Sequence, residues 1–150
     1  MIQPLSELLI RDLNRLKKEI DAYTNETILW EVEGTIKNSG GNLCLHLIGN
    51  LKTYLGNGFA DLNYIRQREF EFNGKNVDRE KIYQEIEETI EMIKLGLAKL
   101  DPARLTEKFP IMIWGKETEM EFTLIHLYGH LNYHLGQINY HRRILDVLKD

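Results

Sequence analysis

Apolar residues recur at three- and four-residue steps in four separate stretches of this chain, and no stretch alternates convincingly over the length of a strand. Leu5, Leu8, Leu9, Leu13, Leu16, Ile20 and Tyr23 place a first helix over residues 4–23. Asn25 breaks the pattern, and Ile28-Leu29-Trp30 is a short apolar patch before a mixed loop. Asn38-Ser39-Gly40-Gly41-Asn42 is a second break, with Ser39 or Asn42 available to cap the next helix. That helix is expected from about Leu43 to Leu55, ending near Gly56-Asn57-Gly58.

Residues 61–76 are polar, with a turn at Asn73-Gly74. Asp78 caps a third expected helix, which runs to about Leu100 and is ended by Asp101-Pro102. Ile82, Ile86, Ile90, Ile93 and Leu97 form its buried stripe, and Glu85, Glu87, Glu88 and Glu91 its solvated face. Phe109 to Trp114 read as an extended pair of turns. Thr118-x-x-Glu121 reads as a capping box that opens a fourth helix reaching about Leu148. Four long amphipathic segments without strands predict an all-α four-helix bundle, a single domain over residues 1–150.

Several function classes are excluded on composition. A net charge of −4 argues against nucleic acid as a partner, since phosphate contacts need a clustered basic surface. No apolar run approaches the ~18 residues of a membrane span. The first residues carry charge where a leader's apolar segment would lie, and the one cysteine, Cys44, has no partner for an internal disulfide. A cytoplasmic protein is expected.

Five histidines then narrow the reading. His126, His130, His134 and His141 lie on the last expected helix, at roughly 0°, 40°, 80° and 60° around its axis. This single arc borders the core stripe of Leu127, Leu131 and Ile138, so it turns toward a neighbouring helix. His130 and His134 are spaced i, i+4, which lets two ring nitrogens converge on one ion. The third ligand must come from another element, and His46 is the remaining histidine, set among apolar residues where an unpartnered ring is costly. Three neutral imidazoles with an open position suit a catalytic divalent metal; a closed structural site would use four protein ligands. From these residues alone, hydrogen-bonded histidines without a metal stand as the alternative.

The segment His126-Leu-Tyr-Gly-His130-Leu-Asn-Tyr-His134-Leu-Gly-Gln137-Ile resembles the last-helix signature of the DinB/YfiT-like superfamily, and Leu43-Cys-Leu-His46-Leu-Ile-Gly its earlier histidine element. The resemblance implies a four-helix bundle of crossover topology, with His46, His130 and His134 holding a divalent metal: zinc, nickel or manganese. It also implies a small-molecule substrate, with low-molecular-weight thiols used by some relatives. Many relatives carry arginine after the last ligand histidine, where this chain has Leu135. The expected function is therefore a metal-dependent enzyme with a metal-activated water or thiol as nucleophile, a hydrolase or thiol S-transferase. The rival is a non-catalytic helical binding module with a structural metal or none.

Four further residues are assigned to the surroundings of the site: Gln137 orienting a ligand ring, His126 and His141 lining the pocket, and Tyr133 beside His134. No catalytic residue beyond the metal is assigned. Cys44, two residues before His46, is expected to face away from the site as a buried, inert thiol. Gly129 and Gly136 share a helix face, and each costs ~1 kcal/mol against alanine inside a helix. Their face is expected to meet another helix closely, within the chain or in a homodimer.

Overall fold

A computed structural model describes residues 1–147, and among them the fold is helical without a strand. Its six α-helices are α1 (Ile2–Asp21), α2 (Gly40–Leu51), α3 (Asn57–Phe59), α4 (Arg68–Asn73), α5 (Arg79–Ala98) and α6 (Met120–Leu145). Four are long. α1 packs on α5 and α6, and α2 packs on α4, α5 and α6. The apolar stripes meet in one core: Leu9, Leu13, Leu16 and Ile20 of α1, Leu47 and Leu51 of α2, Ile86 and Ile93 of α5, and Leu127, Leu131 and Ile138 of α6. No helix of the described residues is long and apolar enough to cross a membrane.

Caps set the starts of two helices, one where it was expected and one earlier. Asp78 accepts a hydrogen bond from Glu80 N at 2.8 Å and starts α5. Ser39 accepts from Asn42 N at 3.1 Å, so α2 begins at Gly40, three residues ahead of the expected start. Downstream, α2 passes into a π-helical stretch, Lys52–Gly56, and then into α3. The N-cap of α6 is Glu119, with no side-chain cap bond. The expected capping box does not form, because Thr118 Oγ1 bonds Thr123 Oγ1 at 2.7 Å instead. α6 ends at Leu145, and the expected terminus at Leu148 lies outside the described residues.

Two connections have more structure than their sequences suggest. The polar stretch 61–76 contains α4, which Asn42 anchors by donating to the carbonyls of Glu71 (3.1 Å) and Gly74 (2.8 Å). Residues 108–119 form a strap closed by isolated bridges Lys108–Glu119 and Ile113–Lys116. At its tip Trp114 has φ +57°, a left-handed conformation uncommon for a bulky side chain.

Candidate metal centre

α2 and α6 pack together, and their facing sides carry the histidines. His46 is buried; His130 and His134 are half-buried. The Nε2 of His130 lies 3.1 Å from Nε2 of His46 and 3.2 Å from Nε2 of His134, and one ligand atom from each ring falls within 4.8 Å of the others. Two ligands bound tetrahedrally at ~2.0–2.1 Å lie about 3.3 Å apart, so the spacing suits one small divalent ion.

The back side of each ring decides what its front side offers. Glu71 Oε2 lies 3.3 Å from His46 Nδ1 and, as a carboxylate oxygen, only accepts. Gln137 Oε1 accepts from His134 Nδ1 at 2.7 Å. Both rings therefore carry their proton on Nδ1 and present an Nε2 lone pair to the centre. A single N–H on His130 Nε2 would answer one of these two lone pairs, whereas a cation answers all three rings. Burial and the neighbouring histidines push the His130 pKa down to about 3, and burial also lowers His134. The neutral, metal-competent form of His130 and His134 is thus the resident one at neutral pH. His130 Nδ1 is buried without a partner among the described residues.

Glu71 is the main residue that sequence reading passed over. It is 3% exposed and held by Arg66, whose Nε and Nη2 donate to its two oxygens at 2.8 and 3.1 Å. Arg66 Nη2 also lies 3.4 Å from His46 Nδ1, a longer approach than its bond to Glu71. Burial would raise the Glu71 carboxyl, but the hydrogen bonds from His46 and Arg66 outweigh it and hold the group below its usual range. The sequence does contain one trace of this contact. Gly49 lies one turn beyond His46, and a Cβ there would collide with Glu71 Oε1, so only glycine lets the carboxylate reach the ring.

The histidine cluster opens on a cavity of about 330 Å³ lined by His46, His130, His126, Asn50, Tyr54, Arg66, Arg68, Ile113, Leu127 and Trp114. His126 is a wall residue, its ring 4.5 Å from that of Trp114. Asn50, one turn beyond His46, is 8% exposed, and its Oδ1 has no partner among the described residues. Neither Asn50 nor Trp114 was singled out by the sequence, because an asparagine in a helix and a tryptophan in a loop carry no periodic signal.

The other assigned residues separate. Gln137 lies against His134, its Oε1 2.7 Å from the ring Nδ1. His141 is tied elsewhere: its Nε2 donates to the Glu31 carbonyl at 2.9 Å, and its Nδ1 meets the Tyr23 hydroxyl at 2.7 Å. With Gln137 it lines a different cavity, of about 430 Å³. Tyr133 is 66% exposed, its ring centroid 5.2 Å from that of His134. Cys44 is fully buried, and burial pushes its thiol pKa up, which suits inertness. Gly129 and Gly136 have nothing within 4 Å of where a Cβ would stand, so the close approach expected of them does not occur within the described chain.

Residues 5–148 match the family described as "Protein of unknown function (DUF1572)", and the chain belongs to that family. No curated protein matches it.

Proposed function

We propose that this member of the DUF1572 family is a divalent-metal-dependent enzyme acting on a small-molecule substrate, built on a DinB-like bundle of crossover topology. The observation that carries the reading is the convergence of three Nε2 atoms beside an open cavity. Zinc, nickel or manganese held there would supply a Lewis acid that lowers the pKa of a bound water or thiol, the chemistry of hydrolysis and of thiol S-transfer alike. Glu71 and Gln137 hold the rings in the ligating tautomer. Ile113, Leu127 and Trp114 give the cavity an apolar wall. A closed structural site needs a fourth protein ligand, and among the described residues the cluster comprises three. Elemental analysis of protein purified without an affinity tag tests the reading: about one ion per chain is expected. Protein free of metal that takes up none of zinc, nickel or manganese would leave a metal-free bundle.

We further propose that a second copy of the chain covers the outer face of α6. Phe122, Ile125, Tyr133, Tyr140 and Ile144 form one row there, each more than half exposed, with Gly129 and Gly136 between them. A large aromatic side chain carries ~150–250 Å², so the row exposes several hundred Å² of apolar surface, the scale of an interface patch. The row is nearly symmetric about Tyr133, so a two-fold, antiparallel copy sets Gly129 against the partner's Gly136. The same arrangement brings Glu121 at one end of the helix toward the partner's Arg143 at the other. Sedimentation should find a dimer in the wild type and a monomer in Tyr140→Glu; a monomeric wild type would overturn the assignment.

A further inference from the structure

The walls of the cavity at the histidine cluster differ in charge and in polarity. Among the described residues no carboxylate lines it, whereas two guanidinium groups do. Arg66 is neutralised by Glu71. Arg68 has no carboxylate within ion-pair distance among the described residues, and its guanidinium lies over the face of Phe72, 5.3 Å from the ring centroid. Phe72 in turn lies against His46, with ring centroids 4.8 Å apart. The stack fixes Arg68 beside the cluster by its face and leaves the edge of its planar fork free to donate.

A second group also lacks a partner. Asn50 is nine-tenths buried in the same wall, and its amide oxygen accepts nothing among the described residues. A buried acceptor left unmade is costly, so the site is built for something that donates to it. Across the cavity stands Trp114, presented by a backbone in the left-handed region and packed on His126. Strain of this kind persists where the surrounding structure uses the side chain it displays.

We infer that the cavity takes a small organic carboxylate that also carries an N–H or O–H donor. Its acid lies on the Arg68 fork, its donor on Asn50 Oδ1 and its apolar part against Trp114. One uncompensated cation in the wall matches a monoanion, and a planar fork matches a planar carboxylate better than a phosphate dianion. This assignment rests on the metal-centre reading for the atom that would face the histidines.

The test uses the full chain loaded with zinc, its content measured beforehand, and three probes of equal length by calorimetry. Each probe carries a hydroxamate to grip the metal; the far ends are a carboxylate, its methyl ester and a phosphonate. The carboxylate is expected to bind about tenfold tighter than the ester, the strength of one charge-assisted hydrogen bond. That preference should vanish in Arg68→Ala, a change at an exposed side chain, and persist in part in Arg68→Lys. Failure to take up zinc, nickel or manganese would refute the metal reading and this inference with it. Zinc uptake with equal carboxylate and ester binding, or a preference that survives Arg68→Ala, would overturn this inference alone. Tighter binding of the phosphonate would overturn the choice of carboxylate.

Discussion

Replacing Glu71 by glutamine removes one charge from the middle of the Arg66–Glu71–His46 chain and changes almost nothing in shape. The substitution has two costs. The first falls on the metal: a carboxylate that accepts from a ligand histidine typically accounts for about 10–100-fold in affinity, or about 1.4–2.7 kcal/mol. The second falls on the fold, because Arg66, 15% exposed, loses its counter-charge. Removing one partner of a fully buried pair costs ~3–5 kcal/mol; glutamine still accepts one bond and Arg66 keeps some solvent, so about 1–3 kcal/mol is expected here. The two are separable. Competition with a chromophoric chelator reads the zinc affinity, and denaturant unfolding in excess chelator reads the stability alone. Gln137→Ala is the control, since it removes a neutral, solvent-accessible acceptor from His134 and should weaken zinc by less than tenfold. Zinc affinity within twofold of wild type in Glu71→Gln, alongside a larger loss in Gln137→Ala, would refute the carboxylate–histidine assignment.

Three further outcomes are expected. His134→Ala should abolish metal binding and leave a cooperative helical melt with a modest fall in Tm, because the apolar stripes bury most of the surface; loss of cooperative helicity would indicate a structural metal. In chelator, acid should destabilise the protein: burial lowers the pKa of His126, His130, His134 and His141 in the folded state, so below about 6.5 the unfolded chain binds more protons. Stability is therefore full above that pH and is lost as pH falls through it toward the folded His130 value of about 3; a melt independent of pH between 7 and 5 would contradict this. Tyr23→Phe removes the buried hydroxyl that faces His141 Nδ1, and should cost about 1–3 kcal/mol while leaving zinc affinity unchanged; weaker zinc binding would place His141 in the metal site.

The sequence by itself determined the helices whose stripes repeat over several turns, such as Leu5 to Ile20 and Ile82 to Leu97, because 3.6-residue periodicity is a local property that burial only ratifies. It also singled out the three histidines: i, i+4 spacing puts His130 and His134 together on any helix, and His46 had few other ways of satisfying a ring among leucines. Tertiary structure alone decided what stands behind those rings. Glu71 reaches His46 from a six-residue helix with no stripe of its own, docked by Asn42 across 29 residues of chain and admitted by a missing side chain at Gly49. His141, in phase with the other histidines, was drawn out of their company by the Glu31 carbonyl and the Tyr23 hydroxyl. Angular position on a helix is fixed by the chain's own geometry, but the partner a polar atom meets depends on which distant backbone is packed against it, and that is settled only when the core closes.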